Sequence, residues 1–335
     1  MWRKLIFLIV LLAALWGGAW YAIAFATRAG IDNWANMRRA EGWTVRTNAQ
    51  TQSGFPMAVQ SRIEGLTLDH RAGGFASQTP VVNVQVALSK PFSPSIVLPA
   101  QTIVLARPNA RADWSIQGAD ATVRINPGLM LELKRADLVL LPWTLGGPQG
   151  PILTAQGSHA DMAQDSADAN VYHFSFSIEN LAAAQTLRDL LALPDAWPEA
   201  FDAFSAKVTV EFDRPQDRTS IPGDRPQPRR VHLRRAAIKW GAIELAAEAE
   251  LKIDAEGIPQ GKLSLSAENW VQMLDLAQAT GALDAGARNQ IENALAIVAR
   301  LNGNEANIDI DVTFERGRMS MGLIPLGPAP RIYLQ

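Results

Sequence analysis

The chain has 335 residues, 48% of them hydrophobic and 19% charged, enough for two ordinary domains or one large β-rich body. Lys and Arg number 31 against 33 Asp and Glu, a formal net charge of −2, so there is no global basic field to gather nucleic acid, and none is expected as a partner. Cysteine is absent and only four histidines occur, which excludes disulfide scaffolds, thiol nucleophiles and cysteine-ligated metal and leaves no metal or other cofactor expected.

Arg3 and Lys4 precede an uncharged apolar run from Leu5 to Ala26. Its length at about 1.5 Å per residue is roughly 33 Å, enough to cross a hydrocarbon core of about 30 Å. The basic flank favours a cytoplasmic N-terminus. A cleaved signal peptide is the competing reading, with Ala22-Ile23-Ala24 as the small-x-small site, but its apolar core normally runs only about 7–15 residues. Either way the body is exported. The retained anchor predicts a single-pass protein of the bacterial inner membrane with a periplasmic body. Residues 29–41 read as a helical continuation stopped by Gly42. Its Ile31, Trp34 and Met37 would rest on the outer leaflet or against the body.

From Thr44 onward, short runs alternate in period two: Val59–Asp69, Val81–Leu88, Ile96–Leu98, Thr102–Leu105 and Ala121–Ile125, each bounded by turn residues. Two stretches also look alike. Ser175-Phe176-Ser177-Ile178-Glu179-Asn180 returns as Ser264-Leu265-Ser266-Ala267-Glu268-Asn269, each predicting a strand that runs into an Asn-capped helix. Helical pieces are expected over 181–191, again past Pro194 and Pro198, then over 270–280 and 284–301, with Ile291, Leu295 and Val298 as a stripe closed by Gly303. The strand 208–214 matches 310–316. Leu131–Leu138 matches Val231–Ile238, with the alternation flipping at Lys134-Arg135 and Arg234-Arg235, which predicts a bulge in each. The expected fold is therefore α+β but mostly β: an N-terminal transmembrane helix, then an extended curved antiparallel sheet with two helical insertions in an internal duplication. The expected divisions are 1–43 (anchor and juxtamembrane helix), 44–126 (N-terminal β region), 127–226 (first repeat with its linker) and 227–335 (second repeat and C-terminal strands).

The anchor, the element Ser53-Gly54-Phe55-Pro56 leading into a strand, and the closing segments Gly317–Gly322 and Ile324–Pro328 together resemble an uncharacterised alphaproteobacterial envelope family, the domain of unknown function 2125 family. That family is more distantly similar to AsmA-like proteins. The resemblance implies an envelope location, a β-rich periplasmic body and a role in lipid handling. It supplies no catalytic residues.

No Gly-x-Ser-x-Gly, His-Glu-x-x-His or Walker A pattern occurs, and no enzyme activity is expected. Ser158-His159-Asp161 invites a triad reading, yet triad members converge from distant segments. Asp309 and Asp311 share the wet side of a half-buried strand. Asp161, Asp165 and Asp168 read as a hairpin loop without the ligand ladder of a calcium site. The functional argument lies in the strand faces. Phe174, Phe176 and Ile178, Val208, Val210 and Phe212, Leu263 and Leu265, and Ile308, Ile310, Val312 and Phe314 each define an apolar side and are the candidates for a lipid groove. Few helices are expected to cover that side. Arg229, Arg230, Arg234 and Arg235, in or beside a Pro- and Arg-rich linker, are the candidates for lipid head groups. The expected partner is membrane lipid, with other envelope proteins as further partners. The alternative is a scaffolding envelope protein with a closed core.

Overall fold

A computed structural model describes residues 2–194, 197–220, 225–301, 307–322 and 324–334. The chain divides into two compact units, Met1–Pro148 and Gln149–Gln335. The fold is mostly β, with antiparallel strands and few helices, as the alternation predicts.

The first unit opens with one long helix, α1 (Trp2–Ala40). The apolar run and the helical continuation expected beyond it form a single unbroken element. Gly42 does stop the helix, with φ of +88° and backbone bonds from Gly42 and Trp43 back to Arg39 and Arg38. Ten strands come next: β1 (Thr44–Arg46), β2 (Ala49–Ser53), β3 (Ala58–His70), β4 (Phe75–Ala87), β5 (Ser95–Leu98), β6 (Gln101–Arg107), β7 (Ala110–Ile116), β8 (Ala119–Ile125), β9 (Leu133–Leu140) and β10 (Trp143–Gly147). Their registers show a simple meander. β1 and β2 lie end to end along β3, β3 pairs with β4, and β4 pairs with both β5 and β6. β5 and β6 pair with β8 and β7, which pair with β9 and β10. Pro99, Gly118 and Pro142 interrupt three neighbouring runs at one level, because proline cannot donate to the ladder and glycine tolerates the kink. Ile103, Ile116 and Leu140 form the core there, flanked by Trp114 and Trp143.

The C-terminal half of α1 lies on this sheet. Trp16 Nε1 donates to the Pro56 carbonyl at 2.8 Å and Trp20 Nε1 to that of Ala58 at 2.7 Å. Gln52 Nε2 donates to the Ala24 carbonyl at 2.8 Å, and Ala24 is the buried residue of the helix. Of the two settings for residues 29–41, the helix takes the one against the body, with Arg39 donating to the Val45 carbonyl.

The second unit contains β11 (Gly150–Ala155), β12 (Gly157–Gln164), β13 (Val171–Glu179), β14 (Ala182–Ala183), α2 (Gln185–Leu190), β15 (Ala203–Phe212), β16 (Pro228–Trp240), β17 (Ile243–Ile253), β18 (Pro259–Glu268), α3 (Trp270–Ala279), α4 (Ala285–Leu301), β19 (Asn307–Glu315), β20 (Arg318–Met321) and β21 (Ile324–Pro328). From β12 the meander runs through β13, β15, β16, β17, β18, β19 and β20 to β21. β14 pairs with β11.

The matched stretches adopt the same local device. Asn180 and Asn269 end β13 and β18 in the left-handed region, at φ of +47° and +56°. Asparagine is among the few side chains that tolerate that conformation. Neither residue acts as the expected side-chain cap. Asn269 instead donates to the Ala242 carbonyl, while Asn180 is followed by β14, which is drawn into pairing with Leu153 and Thr154. Helix α2 therefore starts only at Gln185, and the described residues between Pro194 and β15 are not helical; Ala200 bridges to Ala182. The two expected bulges are present, at Lys134 opposite Arg124/Ile125 and at Arg234 opposite Lys207/Val208. Ile291 and Leu295 pack with Trp270, Leu274 and Ile308. The side chain of Val298, and Gly303, lie outside the described residues.

Arg188 fixes α2 to the segment beyond its C-terminus. It is buried, and its guanidinium donates to the carbonyls of Trp197 at 2.9 Å, Pro198 at 3.1 Å and Pro194 at 3.3 Å. Replacing it with methionine keeps the stem but removes three charge-assisted bonds, including the one to the Trp197 carbonyl, while the Pro194 and Pro198 carbonyls keep bonds from the Trp197 N–H and from Trp240 Nε1. Arg188→Met is expected to cost about 2–3 kcal/mol, read as a lowered midpoint in thermal unfolding of the detergent-solubilised chain.

Candidate functional site

Cross-strand partners in an antiparallel sheet project from the same face. In the second unit the registers assemble four such rows across β13, β15, β16, β17, β18 and β19. The first is Ile178, Phe204, Ile238, Leu245, Ala267 and Ile308. The second is Phe176, Ala206, Ala236, Ala247, Leu265 and Ile310. The third is Phe174, Val208, Leu233, Ala249, Leu263 and Val312. The fourth is Tyr172, Val210, Val231, Leu251, Gly261 and Phe314, and Phe212 lies beyond it opposite Pro228. All twelve groove candidates thus belong to one continuous apolar face.

The two ends of that face differ. At the fourth row Tyr172, Phe212 and Phe314 are buried, and the Tyr172 hydroxyl accepts a bond from the Gln216 N–H at 2.8 Å. Pro226 and Gln227, in the segment expected to be a hydrated linker, are buried instead, and Gln227 exchanges two bonds of 2.9 Å with the backbone of Leu334. The C-terminal stretch is further tied by bonds from Ile332 to Gly257 and from Ala329 to Gly317. Distant segments therefore secure this end, with residues 107 apart joined through Gln227.

At the first two rows the face is framed rather than sealed. Phe176, Leu245 and Leu265 remain more than a third exposed, at 37%, 39% and 38%. A cavity of about 490 Å³ lies over Phe204, Ala206, Ala236, Ala247, Leu265 and Ile310. It adjoins a second of about 410 Å³, with Ile238 and Leu245 lining both. The walls of the second are Leu187, Leu191 and Leu193 on one side and Met273, Leu276 and Ala277 on the other. The volumes fall in the range of ligand sites, about 300–1,000 Å³. The alternation missed this floor because three adjacent strands contribute alanine there (Ala206, Ala236 and Ala247), which reads as weakly apolar. The paired registers are the only signal that would have found it.

The head-group candidates do not join this face. Arg230 and Arg235 project from the opposite side, opposite Glu211 and Lys207 in register, and are ion-paired to Glu211 at 2.7 Å and Glu244 at 2.5 Å. Arg229 bonds the Asp254 carbonyl at 2.9 Å and Asp213 at 3.4 Å. Arg234 is exposed at the bulge. The same polar side carries Asp309 and Asp311, the latter paired with Lys262 at 2.7 Å. Ser158 and His159, consecutive on β12, project to opposite faces, so no triad forms with Asp161. Asp165 opens the hairpin loop after β12, where it accepts bonds from the Ala167 and Asp168 N–H groups and pairs with His173 at 3.0 Å.

Two of these carboxylates couple the polar side to pH. The bond to His173, helped by the two N–H groups, holds Asp165 below the usual carboxylate range, and the bonds from Lys262 and Ser264 do the same for Asp311. A depressed carboxylate contributes stability that is present above its unfolded value and lost as pH falls through the folded one. The unfolding midpoint is therefore expected to fall below about pH 4, and less steeply in Asp165→Asn and Asp311→Asn, whose acid limbs in a pH series check it.

The first unit has an apolar cavity of its own, about 770 Å³, which the sequence did not reveal. One wall is α1, through Ile23, Ile31 and Trp34; the other is the sheet, through Ile63, Val82 and Val84. Phe92 and Leu131 line its edge.

α1 is long and apolar enough to cross a membrane, with a mean hydropathy of 2.2 over its best window. No curated protein and no solved structure matches the chain. A family described as "uncharacterized protein conserved in bacteria" (DUF2125) matches residues 20–330, a span that holds the strands of both units, α1 from Trp20 onward and every groove residue. The chain is a member of that bacterial family.

Proposed function

We propose that this protein is anchored in the bacterial inner membrane by α1, with its N-terminus cytoplasmic and its body periplasmic, and that the body binds and guides lipid in envelope biogenesis without catalysing a reaction. The observation that carries the reading is the framed apolar trough of the second unit, floored by the first two rows and walled by α2 and α3. An apolar space of this kind has nothing to offer water, whereas an acyl chain entering it gains about 0.8 kcal/mol per buried methylene. The apolar cavity of the first unit supports the same reading, as does the basic flank Arg3-Lys4 for orientation. With Arg230 and Arg235 paired to Glu211 and Glu244 on the other face, recognition rests on the acyl chain rather than on the head group. Other envelope proteins remain partners for the polar side.

The scaffolding alternative requires a face closed by the protein's own side chains, a description that fits the fourth row and not the first two. Native mass spectrometry of the full chain extracted in mild detergent tests the choice. Retained phospholipid at defined stoichiometry is the expected result, and a chain that is lipid-free in every charge state would overturn the lipid reading.

A further inference from the structure

The turns of the first unit differ sharply between its two ends. At one end, residues 71–74 and 108–109 read Arg-Ala-Gly-Gly and Pro-Asn. At the other, the turns are Gly54–Met57, Leu88–Pro94 and Asn126–Glu132, and each presents large apolar side chains to solvent. Phe55 and Met57 are 64% and 73% exposed, Leu129 is 86% exposed, and Phe92 and Met130 are exposed as well. Backbone bonds tie the three turns side by side: Leu88 N–H to Met57 O at 3.0 Å, and Ile125 N–H to Phe92 O at 2.9 Å. Clustered apolar exposure of this kind marks an interaction surface rather than the ordinary scatter of surface leucines.

The helix identifies what the surface meets. α1 runs along the sheet toward this end, and Trp16 is bonded to Pro56 within the first of the three turns. Beyond it, the described residues before Trp16 are exposed. The uncharged part of that free segment, Leu5 to Leu15, measures only about 17 Å, against a hydrocarbon core of about 30 Å. With Arg3 and Lys4 held at one surface, the docked helix reaches the other only if the turns around Trp16 enter the same leaflet. Lys90, exposed in the second turn, is placed to reach back toward phosphates.

We propose that these three turns form an apolar rim inserted in the bilayer around α1, so that the first unit is seated in the membrane rather than carried on a free stalk. The proposal rests on α1 being the anchor and is independent of whether either cavity holds lipid. The chain has no cysteine, so Met57→Cys, Leu129→Cys, Leu12→Cys in the helix and Asn109→Cys at the opposite end each give a unique site for a polarity-sensitive fluorophore. The full chain would be reconstituted in phosphatidylcholine–phosphatidylglycerol vesicles with and without brominated acyl chains. Blue-shifted emission, lost to the brominated chains, is expected at 57 and 129 as at 12, with no change at 109. Quenching at 12 alone overturns the rim while leaving the anchor intact, and quenching at none overturns both. Shielding from iodide at 57 and 129 without loss to brominated lipid would assign the rim to a protein partner and overturn the membrane assignment.

Discussion

Gly261→Ala is expected to destabilise the second unit by about 3 kcal/mol or more, through backbone strain and a collision that cannot relax. Gly261 sits in β18 at φ of +136°, paired with Leu251 on one side and Phe314 on the other. A Cβ built there would lie 2.1 Å from the Glu250 carbonyl oxygen. That oxygen belongs to the neighbouring strand, so relief would require separating β17 from β18 where the apolar face is most completely buried. Gly281 supplies the contrast. It also has a positive φ, +72°, but a Cβ there meets nothing within 4 Å. Gly281→Ala should therefore cost only the conformational part, about 1 kcal/mol. Thermal unfolding of the two variants in detergent separates the terms. A unit of this size loses roughly 2–4 °C per kcal/mol, so Gly261→Ala should fall by at least about 6 °C and Gly281→Ala by a few. Equal shifts would show that collision with the Glu250 carbonyl contributes nothing.

What the sequence made legible in this fold is whatever depends on near neighbours along the chain. Side-chain direction alternates with period two, so Phe174, Phe176 and Ile178 had to share a face with one another whatever their partners were. The meander then added the other strands in order, and the bulges at Lys134 and Arg234 came from the flip in alternation. The same parity already placed Arg230 opposite Val231, and Arg235 opposite Ala236. Charge density in the linker singles these arginines out as head-group candidates, but it carries no information about which face of the strand they take. The features that could not be read depend on contacts between distant residues. The seal at the fourth row needs Gln227 to meet Leu334, and the docking of α1 needs two indoles to find carbonyls 38 and 40 residues away. Nothing local in Leu5 to Ala26 distinguishes a helix wholly surrounded by lipid from one that leaves it halfway along to lie on a sheet. The alanine floor was hidden for a related reason. Alanine at one position of a strand carries little signal, and only the alignment of Ala206, Ala236 and Ala247 across three strands turns three small residues into one hollow.

That hollow provides the most direct functional test. Ala236 lies at its centre, between Ala206 and Ala247 in register, and lines the 490 Å³ cavity. Ala236→Phe would direct an aromatic ring into space the protein leaves empty, where Phe176 and Leu265 close the same row. Two or three displaced methylenes at about 0.8 kcal/mol each amount to roughly tenfold or more in affinity. Retained phospholipid is accordingly expected to fall at least about tenfold, while the unfolding midpoint holds or rises slightly, since an apolar ring fills an apolar space. His232→Phe is the matched control. It adds the same ring on the same strand at an exposed position, on the polar side where His232 faces Thr209 and Glu250, and should leave lipid retention unchanged. The pair separates occupancy of the trough from any general effect of added bulk on β16. If Ala236→Phe retained lipid as fully as the unaltered chain, the ligand would have to lie elsewhere, and the first unit's cavity beside α1 would be the next place to fill.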